Sequence, residues 1–175
     1  MRLARLGPTG SEIPVVLADG VRYDLRPLTA DITGEFLGSG GLSRVAEAMA
    51  DGSLTPLEGA ASMRVGAPIS RPGKIVCIGL NYRDHADAAL AYTPDWGPLF
   101  FLKDPSTIIG PYDTVLIPRN STKTDWEIEL GVVIADKVRY LDDPADARRH
   151  IAGFVVSHDV AEREFQLERG GQWDM

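Results

Sequence analysis

The sequence predicts an α+β fold that is mostly β. Short apolar runs of strand length, such as Ile75–Ile78, Leu99–Leu102 and Gly153–His158, recur between glycine- and proline-bearing turns. Helix-like stretches are few, over residues 29–52 and from Asp159 onward. The run Asp125-Trp126-Glu127-Ile128-Glu129-Leu130-Gly131-Val132-Val133-Ile134 alternates acids with apolar residues and then continues through valine and isoleucine, as a strand does.

Residues 1–70 read as a small β-rich N-terminal domain with a helix and a linker. Arg2–Leu6, Ile13–Leu17 and Val21–Leu25 are its strands, the last two joined by the turn Ala18-Asp19-Gly20. Residues 29–52 read as helical with a break at Gly38-Ser39-Gly40-Gly41, and Ser43 is a candidate cap for Leu42–Ala50. Residues 53–73, rich in proline, glycine and alanine, read as a linker.

A second domain occupies residues 71–175. Ile75–Ile78 reads as a buried strand, and Asn81–Leu90 as a polar turn leading into a short helix. Gly110-Pro111-Tyr112-Asp113 is a turn signal. Residues 125–134 form one strand, Ala145–His150 a short helix and Gly153–His158 another strand. A helix then runs from Asp159 to about Arg169.

With 175 residues, 44% hydrophobic and 25% charged, the composition is that of an ordinary globular protein. A formal charge of −7 disfavours nucleic acid and anionic membranes as partners. The single cysteine, Cys77, reads as a small buried hydrophobe and excludes an intrachain disulfide. No stretch approaches the roughly 18 apolar residues of a membrane-spanning helix. The N-terminus lacks a signal-peptide core, so the expected location is the cytoplasm.

Residues i and i+2 of a strand share a face, so Glu127 and Glu129 project together, about 7 Å apart at Cα. Trp126, Ile128 and Leu130 are expected to pack behind them. Paired like charges repel unless a cation lies between them. Asp159, after the apolar Phe154-Val155-Val156, is the candidate third ligand. Asp159 and Glu162 also have capping-box spacing. Three carboxylates make a hard oxygen site suited to Mg²⁺, Mn²⁺ or Ca²⁺.

Arg163 and Gln166 lie on the helix face of Asp159 and offer donors for a developing oxyanion, with ordinary exposed helix residues as the bland alternative. His85, in a loop after a strand, is the natural general base, or else a surface histidine without a role. Lys103 ends a strand, where it is a candidate contact for an anionic substrate, with a salt bridge or a solvated lysine as the bland alternative. His158 reads as structural, and His150 as a charge at a helix terminus.

Several segments, taken in order, carry a family resemblance. They are Arg71-Pro72-Gly73-Lys74-Ile75-Val76-Cys77-Ile78-Gly79-Leu80-Asn81-Tyr82-Arg83-Asp84-His85, Phe101-Leu102-Lys103, Gly110-Pro111-Tyr112-Asp113, residues 124–134, and Asp159-Val160-Ala161-Glu162-Arg163-Glu164-Phe165-Gln166. Together they resemble the fumarylacetoacetate hydrolase family. The stretch from Glu162 to Trp173 looks most like its diketo-deoxy-sugar-acid hydrolase branch.

The resemblance implies a mixed β-roll catalytic domain, here its first part, behind a small N-terminal domain, usually in a homodimer. It implies Mg²⁺ or Mn²⁺ on Glu127, Glu129 and Asp159 and a small anionic keto-acid substrate. His85 would activate a water that cleaves the C–C bond of a 2,4-dioxo acid, with Arg163 and Gln166 as donors. Ala88 stands where many members carry a glutamate, and the Gly-Lys-Ser lysine of longer members is not in this sequence. Decarboxylation or tautomerisation on the same metal, and a binding fragment without turnover, are the alternative functions.

Overall fold

The computed structural model describes residues 1–84, 97–169 and 171. Strands β1 (Arg2–Leu6), β2 (Ile13–Ala18) and β3 (Val21–Asp24) form an antiparallel sheet in that order, with Leu3 opposite Val16 and Val16 opposite Tyr23. The β2–β3 hairpin turns through Asp19 at φ 49° and Gly20 at φ 80°. Both residues are left-handed, as the twist of a two-residue hairpin requires.

Helix α1 (Gly34–Gly38) is capped by Thr33, whose hydroxyl accepts from the Phe36 N–H at 3.2 Å. Helix α2 spans Gly41–Ala50. Ser43 is not its cap: the helix starts earlier, from the left-handed Gly40, and has no side-chain cap. Gly41 allows this start, because a Cβ there would lie 2.3 Å from the Phe36 carbonyl oxygen. Val16, Leu25, Ile32, Phe36, Leu37, Val45, Ala48 and Leu54 form the core between sheet and helices.

Residues 53–73 are not a loose linker. The segment runs along both edges of the sheet, with Leu57 N–H donating to the Arg22 carbonyl and Gly66 N–H to the Arg5 carbonyl, both at 2.8 Å. It thereby satisfies edge groups that β1 and β3 would otherwise leave unpaired. An ion network centred on the enclosed side chains of Arg5 and Glu12 adds to this. Arg5 reaches Asp31 at 2.6 Å and Glu12 at 3.0 Å, while Arg64 reaches Glu12 at 3.1 Å and Asp113 at 2.7 Å. Asp113 closes the turn 110–113 by accepting from the Gly110 N–H at 2.7 Å.

The remaining strands pair two by two. β4 (Ile75–Gly79) pairs with β5 (Leu99–Lys103), β6 (Thr124–Asp125) with β9 (Ala161–Glu162), and β7 (Ile128–Ile134) with β8 (Ile151–His158). The expected single strand 125–134 is therefore interrupted at Trp126 and Glu127. β4 is not buried on both faces among the described residues, since Val76 and Ile78 are exposed. Residues 144–150 form a 3-10 helix capped by Asp143.

By its contacts the fold divides into two compact units that do not follow chain order. One comprises Met1–Pro72, Ile108–Leu116 and Ile128–His158, the other Gly73–Thr107, Ile117–Glu127 and Asp159–Met175. Among the described residues, no helix is long and apolar enough to cross a membrane.

Candidate metal centre and active site

The acids and the apolar residues of the 126–130 run face opposite ways, as strand periodicity dictates. The expected inside and outside are reversed, however. Trp126, Ile128 and Leu130 are 67%, 68% and 61% exposed, while Glu127 and Glu129 are half-buried. The β7–β8 ladder explains how Asp159 joins them. Ile128 pairs with His158, and the next contact is the Asp159 N–H donating to the Glu127 carbonyl at 2.9 Å. One carboxylate oxygen from each of Glu127, Glu129 and Asp159 then falls within 4.8 Å of the others.

The donor set fits a hard divalent cation, with three carboxylate ligands and no sulfur or nitrogen. Asp159 is 8% exposed. Its buried Oδ1 meets no described donor in hydrogen-bonding geometry and is paired by charge alone. Its charge partner is Lys103, whose Nζ lies 2.7 Å away.

Asp159 does not start a helix. The chain passes into β9 and then a π-helical turn over Glu164–Glu168. The capping-box pairing does not form, because Glu162, also buried, accepts instead from Ser121 and, at 2.8 Å, from Thr124. These hydrogen bonds hold the Glu162 carboxyl below the usual range although burial pushes it up.

Arg163 and Gln166 are brought together across the π-turn, Arg163 Nη1 donating to Gln166 Oε1 at 2.9 Å. The guanidinium also ion-pairs with Glu127 and donates from Nε to Asp125 Oδ2 at 3.1 Å. Burial works against its charge, but Glu127 and Asp125 more than offset this and raise its pKa. Asp125, to which the sequence reading gives no role, is thus the second anchor of Arg163. Its place in the acid-apolar alternation was the only signal.

His85 lies outside the described residues, as does Ala88. His150 sits against Asp136, with Nδ1 2.8 Å from Oδ1.

A family model for the C-terminal domain of fumarylacetoacetate hydrolase matches residues 74–174. This chain belongs to the fumarylacetoacetate hydrolase family. A protein of Burkholderia multivorans carrying only the provisional name hydrolase is 46% identical over 175 residues, which is 99% of this chain and 60% of that protein. The chain therefore spans about 60% of the length of the curated relatives it matches.

Solved structures agree on the fold. A probable 2-hydroxyhepta-2,4-diene-1,7-dioate isomerase from Mycobacterium abscessus matches with a TM-score of 0.71 and 30% identity, over 99% of this chain and 57% of that one. Maleylpyruvate hydrolase from Sphingobium sp. SYK-6, in complex with manganese(II) and pyruvate, matches with a TM-score of 0.73 and 23% identity, over 93% of this chain and 60% of that one. The expected fold of a fumarylacetoacetate-hydrolase-type α+β domain, mostly β, is borne out.

Proposed function

We propose that this chain forms part of a Mg²⁺- or Mn²⁺-dependent hydrolase that cleaves the C–C bond of a 2,4-dioxo acid. The observation that carries this is the convergence of Glu127, Glu129 and Asp159 within 4.8 Å. Family membership and a fold neighbour that holds manganese and pyruvate support it.

Glu127, Glu129 and Asp159 would hold the metal, which supplies Lewis-acid stabilisation of the developing enolate and orients the keto acid. Arg163 and Gln166, already in contact, would donate to the substrate oxygens on which charge develops. His85 is proposed to take a proton from the attacking water through a ring nitrogen. The water adds to the distal carbonyl, the C–C bond breaks, and the electron pair moves into the keto-acid fragment. That fragment takes up a proton, leaving a carboxylic acid and a 2-oxo acid. A homodimer in the cytoplasm is the proposed setting.

Isomerisation of an unsaturated dioxo acid is the second reading, favoured by the likeness to the dioate isomerase. Incubation of the full-length protein with Mg²⁺ and a panel of 2,4-dioxo acids separates the two. Hydrolysis removes the diketone absorbance and yields two acids, whereas isomerisation yields one product of unchanged mass. Turnover of no substrate in the panel would count against both.

A further inference from the structure

Lys103 is the last residue of β5, on the half-buried face it shares with Leu99 and Phe101. Its ammonium lies 2.7 Å from Asp159 Oδ1 and donates to the Val160 carbonyl at 3.3 Å. The two side chains are only 17% and 8% exposed. Enclosing an ammonium or a carboxylate is costly unless an opposite charge lies beside it. Each is thus a condition for placing the other. Unlike Arg163, which has Asp125 as an additional anchor, Lys103 ion-pairs among the described residues with Asp159 alone.

We infer that Lys103 is the internal counter-ion of Asp159 and competes with the metal for that carboxylate's charge. The inference rests on the metal-site reading above. When no metal is bound, Lys103 relieves the repulsion among three clustered carboxylates and fixes the Asp159 side chain. A divalent ion beside Asp159 takes over that neutralisation and repels the ammonium. Lys103 therefore stabilises the metal-free protein more than the loaded one. Linkage then requires that it weaken metal binding by the same free-energy difference. Lys103 acts here through Asp159, as a positioning residue that keeps metal affinity moderate and exchange possible.

The test measures Mn²⁺ affinity by the EPR signal of free Mn²⁺, and thermal midpoints with and without Mn²⁺, in the full-length protein and its Lys103→Met variant. Lys103→Met should melt at a lower temperature than wild type without metal, bind Mn²⁺ about tenfold more tightly, and regain most of the lost midpoint when Mn²⁺ is added. If that variant does not fold, Lys103→Gln, a shorter and uncharged donor, gives the same reading.

Unchanged or weaker Mn²⁺ binding in a folded variant would overturn the inference. A raised KM with unchanged metal affinity would point instead to substrate contact. Failure of wild type itself to bind Mn²⁺ would remove the metal site and this inference with it.

Discussion

The main-chain N–H of Asp159 donates to the carbonyl of Glu127 at 2.9 Å, one step beyond the Ile128–His158 pair that ends the β7–β8 ladder. Two candidate ligands that are distant in sequence are thereby fixed by backbone pairing, not by the side chains themselves. Neutralising Glu127 should spare this framework. Glu127→Gln is expected to keep the far-UV circular dichroism of wild type while Mn²⁺ affinity falls by about two orders of magnitude, in line with how ligand charge tunes hard-cation sites.

Arg163 should affect turnover more than metal occupancy. Its pKa is raised by Glu127 and Asp125, so it remains charged at every assayable pH and adds no break to the pH-rate profile. Arg163→Met is expected to lower kcat by about 10²–10³-fold, with Mn²⁺ affinity retained or tightened. Steady-state kinetics beside an EPR titration would check this, and a parallel loss of metal binding would mean that the arginine only braces Glu127.

The ion network of the N-terminal unit predicts a larger effect on stability. Arg5 is 7% exposed and holds both Glu12 and Asp31. Arg5→Met leaves two enclosed carboxylates short of a partner and should cost about 3–5 kcal/mol by denaturant unfolding.

The same network sets an acid limit. Glu12 and Asp31 are held below their ordinary values of 4.5 and 3.8, since hydrogen bonds and the nearby arginine charges outweigh the burial that raises them. Asp113 is held down by Arg64. Lowered folded values mean that this stabilisation is present above the unfolded pKa values and is lost as pH falls through the folded ones. Thermal midpoints should thus be flat above about pH 5 and drop below about pH 4. In Asp113→Asn the drop should be smaller.

Gly41 offers a steric check on the core. A Cβ there would meet the Phe36 carbonyl oxygen at 2.3 Å and the Phe36 ring at 2.5 Å. Gly41→Ala should destabilise by about 1–3 kcal/mol, although alanine is the better helix former.

The sequence made the β2–β3 hairpin legible because its turn carries Asp19-Gly20 and Val21, Tyr23 and Leu25 repeat at every second position. Glu127, Glu129 and Asp159 were legible as acids beside apolar strands. Other features depend on partners far along the chain. The spacing of Asp159 and Glu162 is equally that of a capping box, and only the Ser121 and Thr124 hydroxyls on another segment decide against it. Residues 53–73 read as a linker because edge pairing leaves no periodic mark on a proline- and glycine-rich segment. Which face of 126–130 turns inward is also silent in an alternating pattern, since both faces repeat every two residues.

The central claim is that Glu127, Glu129 and Asp159 hold one divalent cation that orients a keto acid. An EPR titration of the full-length protein with Mn²⁺, with and without oxalate as an analogue of a pyruvate enolate, tests it most directly. One Mn²⁺ bound per chain, displaced by excess Mg²⁺ and held more tightly with oxalate, is the predicted result. A free-Mn²⁺ signal that rises linearly with added metal, whether or not oxalate is present, would contradict it.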